Sequence, residues 1–411
     1  MAHTGMGSDR FVGMDQGSGP LHLLDTRRDG LIMRHSWAER RRVLADLLQE
    51  RRLDALLAYA SGGLRTSPFH RWLTGVSCTT EDGLTMLLTR EGDLTCVDVP
   101  WGADALRTNL TRQGIEASIR TGASEDDVRR VSRELSRRFP RIGFTGVLPL
   151  CMCEGDLQRY EQLPELDRLM MRKNEVELRR LTRAALETEQ ILNETLAGVE
   201  VGVSEDELAR AIVRQAGDRG TALGLEPVRM NSGPILESTT GRPRAEHRIG
   251  TGDALCLDLT LLTPEGLFSD VTRMRFMGAH PAEEAYHTLF ATVERIAAEC
   301  RAGMPVGALA AWAQQACYEA GLPAATLNIS ELGHGIGYRL HERPGIALPS
   351  DLDTPLVEGA VICLEPEIRT RHSMIRVEEE VLIGRHGGLM LSRSRSACGQ
   401  PLTPVRADQG V

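Results

Sequence analysis

The chain has 411 residues, of which 41% are hydrophobic, and it carries a formal net charge of −9. This length exceeds what one hydrophobic core normally organises, so two domains are expected. The negative charge argues against nucleic acid as a partner. No uninterrupted apolar stretch approaches the ~20 residues of a membrane span, so we expect no membrane partner either.

The first segment, residues 1–35, is rich in glycine and mixed in charge. It lacks the apolar core of a signal peptide, and we expect it to form a flexible arm. The chain contains nine cysteines, none of them in a CxxC pair. Reduced thiols and a cytoplasmic location are therefore the expectation.

An α/β domain is predicted for residues 36–166, where helical and strand patterns alternate. The segment Ser36–Glu39 has a capping-box pattern, which predicts that the first helix begins there. A second helix is predicted to begin after Ser124, with Asp127 three residues further on. Short strands are predicted at Ala55–Ala60, Leu84–Thr89, Leu94–Val99 and Ile142–Thr145.

A second domain is predicted for residues 167–411, opened by a long amphipathic helix after Asn174. It contains a faint internal repeat, in which Ala197–Gly202 recurs as Ala302–Gly307. Each copy joins a long helix to a shorter one. Two similar halves that face one another would place a site at their interface. The shorter helices are predicted at Ser204–Gly217 and Val306–Ala320.

A β-hairpin is predicted where two apolar runs flank the polar turn Thr263–Gly266. Strand alternation allows Asp258 and Asp270 to meet on one face of the adjacent strands. Asp258 lies within the apolar run Leu255–Leu259, so it should be buried. A buried carboxylate without a partner costs several kcal/mol, and metal coordination is the simplest explanation for it.

Further candidate metal ligands follow in three later segments. His334 lies between glycines, Glu365 follows an apolar run, and Glu378 follows Arg376 and a valine. Oxygen-rich sites with few nitrogens suit Mn²⁺, Co²⁺ or Fe²⁺ better than thiolate-preferring metals. We expect two divalent ions, most simply Mn²⁺, with Zn²⁺ as a further alternative, because such a pair activates a bridging water.

Two cysteines lie close to these candidates in the sequence. Cys256 and Cys363 each stand two residues before a ligand, hence on the same strand face. We interpret them as small buried hydrophobic residues rather than thiolate ligands.

The order of these motifs resembles the pita-bread metallohydrolases, peptidase family M24, which include Xaa-Pro aminopeptidases, prolidases, methionine aminopeptidases and creatinase. The segment Arg71–Gly75 also resembles the N-terminal domain of creatinase and prolidase. The resemblance implies an α/β creatinase-like N-terminal domain and an α+β pita-bread C-terminal domain with pseudo-two-fold symmetry. It also implies a homodimer, because in the family the N-terminal domain of one subunit reaches towards the other's site.

The resemblance implies a role for each candidate residue. Glu365 is the expected general base. His341, in a His-Glu-x-Pro segment, and Arg376 are expected to orient the substrate. The expected metal ligands are Asp258, Asp270, His334, Glu365 and Glu378.

The sequence departs from the family where substrate is handled. Thr239 and Thr240 stand where the peptidases carry a loop histidine, and Glu367 stands where the family carries glycine. On one strand, Glu365 and Glu367 would share a face, so Glu367 is expected to contact the substrate. Thr240 is expected to contact it as well, because it stands where the peptidases carry the loop histidine. A cationic substrate would suit such closely spaced acids. The alternative is that Glu367 faces solvent or pairs with Arg369.

The leading functional hypothesis is a dinuclear-metal-dependent hydrolase of a peptide or amide C–N bond, most like an Xaa-Pro aminopeptidase or dipeptidase. A first alternative is a small-molecule amidohydrolase that acts on a cyclic amide or a guanidino compound. A second alternative is a non-catalytic binding protein on the same scaffold. The intact set of metal ligands argues against the second alternative.

Overall fold

The computed structural model describes residues 26–60, 68–75, 83–146, 148, 150–153, 156–220, 222–323 and 332–392. Within these ranges the chain forms an N-terminal α/β unit followed by a C-terminal unit of helices and mixed sheets. Among the described helices, none combines the length and the apolar character needed to cross a membrane.

The N-terminal unit is built around a six-stranded sheet with the order β4-β3-β2-β1-β5-β6. Its strands are β1 (Ala55–Ala60), β2 (Leu84–Thr89), β3 (Leu94–Asp98), β4 (Ser118–Thr121), β5 (Ile142–Thr145) and β6 (Tyr160–Gln162). Its helices are α1 (Thr26–Glu50), α2 (Pro68–Thr74), α3 (Pro100–Gln113), α4 (Glu125–Ser136), α5 (Leu150–Cys153) and α6 (Glu165–Met171). The predicted strands are present, and Ser124 caps α4 as expected, with its side chain accepting from the backbone N–H of Asp127.

The first helix begins earlier than predicted. The predicted start at Ser36 is wrong, because α1 already begins at Thr26 and includes residues 26–35 of the predicted flexible arm. The Ser36 hydroxyl instead accepts a hydrogen bond from Asn174 Nδ2 at 3.1 Å, and Asp29 pairs with Arg179. These contacts come from a distant segment, so tertiary packing overrides the local capping signal. Residues 1–25 of the predicted arm lie outside the described residues.

The described part of the C-terminal unit contains three sheets. Their orders are β7-β8-β9, β11-β10-β12-β15-β16 and β13-β14. The helices are α7 (Glu175–Gly198), α8 (Glu205–Asp218), α9 (Glu283–Glu299) and α10 (Val306–Glu319). The strands are β7 (Ala222–Gly233), β8 (Ala254–Leu262), β9 (Phe268–Phe276), β10 (Gly333–Gly335), β11 (Glu342–Ile346), β12 (Val361–Leu364), β13 (Glu367–Arg369), β14 (Met374–Arg376), β15 (Glu379–Ile383) and β16 (Gly388–Met390).

The order of elements repeats within this unit, in agreement with the repeat seen in the sequence. A long helix, a short glycine-containing connection and a shorter helix precede the strands in each half: α7 and α8 precede β7–β9, and α9 and α10 precede β10–β16. Asn174 and Glu177 form a capping box that starts α7, and Ser204 and Glu207 form another that starts α8. Such reciprocal bonds satisfy backbone N–H groups that a helix leaves unpaired.

The two units share one apolar cluster. Trp37 of α1 and Leu73 of α2 belong to it together with Phe268 of β9 and Ile336, which follows β10. These side chains are all buried, so the N-terminal unit packs directly against the strands that carry the candidate ligands.

Arg273 of β9 is fully buried and links three elements of the C-terminal unit. Its Nη2 lies 2.9 Å from Glu189 Oε1 on α7 and 2.7 Å from Glu379 Oε1 on β15. Its Nη1 donates to the carbonyl oxygen of Glu378 at 2.9 Å. Although burial opposes it, Glu379 and Glu189 hold the pKa of Arg273 above its ordinary value. This ion cluster fixes the backbone at a candidate metal ligand.

We predict that Arg273→Met lowers the free energy of unfolding by about 3–5 kcal/mol, because Glu189 and Glu379 then stay buried without their cation. The matched control is Arg295→Met, which removes an ion pair with Glu319 in which both side chains are more than 40% exposed. An exposed pair contributes about 0–1 kcal/mol. Urea denaturation of both variants measures the difference, and equally small losses would contradict the prediction.

Candidate metal centre

The hairpin of β8 and β9 carries the candidate aspartates. A turn at residues 263–266 joins the strands, as predicted. Asp258 lies directly opposite Thr272, and Thr260 lies directly opposite Asp270. Because directly paired residues of an antiparallel ladder point to the same face, Asp258 and Asp270 share one face of the hairpin.

Two threonines on this face orient candidate ligands. Thr260 Oγ1 donates to Asp270 Oδ1 at 3.0 Å, and Thr272 Oγ1 donates to Glu378 Oε2 at 2.8 Å. Sequence reasoning missed both of them. The available signal was their spacing, since each threonine stands two residues after an aspartate and therefore on the same strand face.

The strand β10 brings His334 against β12, where it lies directly opposite Cys363. Gly333 makes this close approach feasible. Its φ is +150°, and a Cβ atom there would lie 2.0 Å from the carbonyl oxygen of Cys363. Glycine is the residue that tolerates both the conformation and the contact. The result is a buried His334 side chain, 8% exposed.

His334 presents a lone pair to carboxylates. Its Nδ1 lies 2.9 Å from the carbonyl oxygen of Gly335, which can only accept, so the proton is assigned to Nδ1. Burial, aided by nearby His341, lowers the pKa of His334 to about 4, so the ring is neutral at pH 7. Its Nε2 lies 3.5 Å from Glu365 Oε1 and 3.9 Å from Glu378 Oε1. Neither this Nε2 nor Glu378 Oε1 has a hydrogen-bond partner among the described residues. Nε2 of His334 and Oε1 of Glu378 are both electron-pair donors that face each other, and a metal cation between them would bind both.

The acids themselves are crowded. Ligand atoms of Asp258, Asp270 and Glu378 lie within 4.8 Å of one another, and so do those of His334, Cys363 and Glu378. Burial raises the pKa of Asp258 to about 6. Burial and the Glu378 carboxylate raise the pKa of Asp270 well above its ordinary value. Cations placed among these groups would relieve both the burial penalty and the repulsion.

The two cysteines remain close to the site. Burial raises the pKa of the Cys256 and Cys363 thiols well above the ordinary value. Both side chains are fully buried, consistent with their interpretation as small hydrophobic residues. The sulfur of Cys363 nevertheless lies within reach of the His334 and Glu378 ligand atoms.

The guanidinium group of Arg376 contacts three of the candidate metal ligands. Its Nη1 is 3.5 Å from Asp258 Oδ2, and its Nη2 is 3.4 Å from Glu378 Oε2 and pairs closely with Glu365 Oε2. It reaches Glu378 without sharing a strand with it, because β14 ends at Arg376 and β15 begins at Glu379. A guanidinium group here neutralises part of the charge of the acids.

A second strand is interrupted at Glu365. The strand β12 ends at Leu364, and Pro366 follows Glu365. Proline has no backbone N–H, so the ladder cannot continue through it. Glu367 starts β13 in a different sheet, where it pairs with Arg376. The expectation that Glu365 and Glu367 share one strand face is therefore wrong, although Glu367 still lies opposite a residue of the site.

Glu367 has a partner that sequence reasoning did not single out. The hydroxyl of Thr239 donates to Glu367 Oε2, and the Thr239 side chain is fully buried. Arg369, the alternative partner named above, pairs with Glu237 at 2.8 Å. Thr240 donates its backbone N–H to the hydroxyl of Ser238 at 3.3 Å, and its contact with substrate stays a prediction.

His341 lies on the solvent side of the site. His341 is an exposed residue. The centre of its ring lies 4.4 Å from the centre of the His334 ring, and the two ring planes are inclined at 77°. It therefore stands next to a candidate ligand while remaining accessible to a substrate.

Comparison with known proteins supports the sequence resemblance. The model of metallopeptidase family M24 matches residues 179–385, just over half of the chain. The Xaa-Pro dipeptidase of Pyrococcus furiosus is 31% identical over 153 residues, which are 36% of this chain and 42% of that protein. Alignments with the first curated relatives span 65%, 42% and 42% of those proteins' own lengths.

Solved structures confirm the predicted fold. A prolidase from Pyrococcus horikoshii superposes with a TM-score of 0.72 at 20% identity, covering 87% of this chain and 99% of that one. The dipeptidase PepE from Mycobacterium ulcerans gives a TM-score of 0.74 at 20% identity, covering 89% and 98%. The likeness extends over both units, so the creatinase-like N-terminal domain and the pita-bread C-terminal domain are both present.

We predict a pH-dependent gain of stability for Asp258→Asn in metal-free protein. The folded state raises the pKa of Asp258 from 3.8 to about 6, so its ionisation at neutral pH opposes folding. The free energy of unfolding of the variant, relative to wild type, should therefore rise by roughly 2–3 kcal/mol between pH 4 and pH 7. Urea denaturation in the presence of a chelator measures it, and a difference that does not vary with pH would refute it.

Proposed function

Because the chain belongs to metallopeptidase family M24, we propose that it hydrolyses a peptide or amide C–N bond with bound divalent metal ions. The observation that carries the proposal is the neutral His334, whose lone pair faces the buried carboxylates of Glu365 and Glu378. The favoured substrate class is an N-terminal Xaa-Pro or Xaa-Pro-like amide. What supports this class is the similarity to a protein named Xaa-Pro dipeptidase.

We propose two ions per chain. What supports this number is that Glu378 belongs to both groups of converging ligand atoms, one with Asp258 and Asp270 and one containing His334. A donor set of carboxylates and one imidazole favours Mn²⁺, with Co²⁺, Fe²⁺ and Zn²⁺ as alternatives. The residues that would hold the ions are Asp258, Asp270, His334, Glu365 and Glu378.

Each protein group then has a defined task. When bound, the metal ions lower the pKa of water towards ~7 and stabilise negative charge on oxygen. Glu365, whose side chain is 11% exposed, serves as the general base and carries the proton to the leaving nitrogen. His341, which is exposed, and Arg376, which lies among the acids, bind and orient the substrate carbonyl. Thr260 and Thr272 hold the carboxylates of Asp270 and Glu378 in place.

Assembly and location complete the proposal. We propose that the protein is a homodimer and that it is located in the cytoplasm. The family resemblance supports the first proposal, and the absence of CxxC pairs in the sequence supports the second. The non-catalytic alternative is disfavoured because the candidate ligands converge on one place in the fold.

Metal reconstitution tests the proposal. Protein loaded with Mn²⁺ should bind about two ions per chain. Asp270→Ala and Glu378→Ala should bind less metal and lose hydrolysis of Ala-Pro, because each removes a ligand from the centre. Glu319→Ala, on the surface of α10, is the control and should behave as wild type. Metal content is measured by mass spectrometry. Full hydrolysis that persists after exhaustive chelation would refute the proposal.

One observation favours a second candidate function, a small-molecule amidohydrolase for cationic cyclic or guanidino compounds. The half-buried Glu367 is fixed by the Thr239 hydroxyl and lies opposite Arg376 in the β13-β14 pair. A fixed carboxylate in this position would attract a substrate amine or guanidinium.

Substrate preference separates the two functions. If Glu367 binds a cationic group, Glu367→Gln should reduce kcat/KM for Arg-Pro roughly 10-fold while leaving Ala-Pro nearly unchanged, because a hydrogen bond to a charged group contributes about 1.5–3 kcal/mol. Glu237→Gln, on the exposed partner of Arg369, is the matched control. The cationic preference would be wrong if wild type cleaves Ala-Pro at ~10⁴ M⁻¹s⁻¹ or more and Glu367→Gln alters neither substrate.

A further inference from the structure

A cluster of buried charged and polar side chains joins the N-terminal unit to the segment that carries His341. We call it the interdomain cluster. Each member is less than 10% exposed, although most carry a charge. Buried charges are stable only where they are paired and hydrogen-bonded. The members are Arg40, Arg71, Lys173, Glu177, Tyr338 and Glu342.

One part of the cluster is centred on Glu177 of α7. Arg40 of α1 donates from Nη2 to both carboxylate oxygens of Glu177 at 2.8 Å, and from Nη1 to the carbonyl oxygen of Trp72 at 2.6 Å. The hydroxyl of Tyr338 donates to Glu177 Oε1. Through Glu177, helix α1 therefore reaches the segment after β10.

The other part is centred on Glu342, the residue next to His341. Its Oε2 accepts from Lys173 Nζ at 2.7 Å, and Lys173 also donates to backbone carbonyls at the end of α6. Its Oε1 accepts from the backbone N–H groups of Tyr338 at 2.6 Å and Arg339 at 3.2 Å. Both oxygens of this buried carboxylate are thus used to hold the segment 338–342.

Arg71 of α2 completes the cluster. Its Nη2 donates to the carbonyl oxygen of Tyr338 at 2.6 Å. Burial lowers the pKa of Arg71 to about 10, so the group is still charged at neutral pH. The amide, carbonyl and hydroxyl of Tyr338 all make contacts within the cluster, while Glu342 is held at the other end of the segment. His341 lies between these two fixed points.

We propose that the interdomain cluster positions His341 beside the candidate metal centre, so that the N-terminal unit sets the geometry of substrate binding. The inference rests on the proposed function, in which His341 orients the substrate. The cluster members act through His341 and are positioning residues. A misplacement of ~1 Å in such a group can cost as much as 10²-fold in rate, so the effect is measurable.

The first test uses Arg71→Met and Tyr338→Phe, each alone and combined with His341→Ala, in Mn²⁺-loaded protein. Each single variant should lower kcat/KM for Ala-Pro by roughly 10-fold or more. In the His341→Ala background neither should lower it further, because the positioned group is gone. Tyr160→Phe, which removes a hydroxyl bonded within the N-terminal unit to Met152, is the control and should leave the rate unchanged.

An equal loss of rate in both backgrounds would overturn the proposal, since general destabilisation acts whether or not His341 is present. Tyr338→Phe keeps the test valid if Arg71→Met does not fold.

Hydrogen exchange gives a readout that does not depend on hydrolysis. Amides of residues 338–342 should exchange at least several-fold faster in Arg71→Met and Tyr338→Phe than in wild type or Tyr160→Phe. Unchanged exchange in both variants would overturn the proposal. Faster exchange together with a wild type that cleaves no Xaa-Pro substrate would refute the proposed function instead, while supporting the role of the cluster in holding the His341 segment.

Discussion

The structure depends on one electrostatic constraint: buried carboxylates converge on a neutral imidazole that offers them only a lone pair. His334 Nε2 faces Glu365 and Glu378, and Glu378 in turn lies against Asp258 and Asp270. Arg376 supplies one positive charge to several acids. Closely packed acids of this kind raise one another's pKa values and are stable as anions only around cations. The remaining architecture holds these groups together against their repulsion.

The helix α7 supports this arrangement from two places. Glu189 pairs with Arg273, which bonds the backbone at Glu378, and Glu177 pairs with Arg40 and receives the hydroxyl of Tyr338. At 1.5 Å per residue the two glutamates are ~18 Å apart along the helix. One rigid element therefore connects a metal ligand at one point and the His341 segment at another. This gives a physical reason for the long, capped helix that opens the C-terminal unit.

The sequence predicted the parts of the site that follow from local rules. Asp258 and Asp270 were placed correctly because strand alternation and a turn of fixed length determine which side chains share a face. The interruption at Pro366 was overlooked, although the missing N–H of proline was available as a signal. The hydrogen bond from Thr239 to Glu367 was not predicted, because an irregular loop has no periodicity to orient its side chains.

The interdomain cluster was beyond sequence reasoning for a different reason. Its partners are separated by 137 residues for Arg40 and Glu177 and by 267 residues for Arg71 and Tyr338. No local pattern encodes such pairs, and the early start of α1 depends on the same kind of distant contact. Tertiary packing decides these features once both units have folded.

The central claim is that these buried acids and His334 form a metal centre. Anomalous diffraction from crystals soaked in Mn²⁺ tests it most directly. We expect anomalous peaks in contact with His334 Nε2 and with the carboxylates of Asp258, Asp270, Glu365 and Glu378, with the Arg376 guanidinium displaced from the acids. A site without an anomalous peak at saturating Mn²⁺, with Arg376 still paired to Glu365, would contradict the claim.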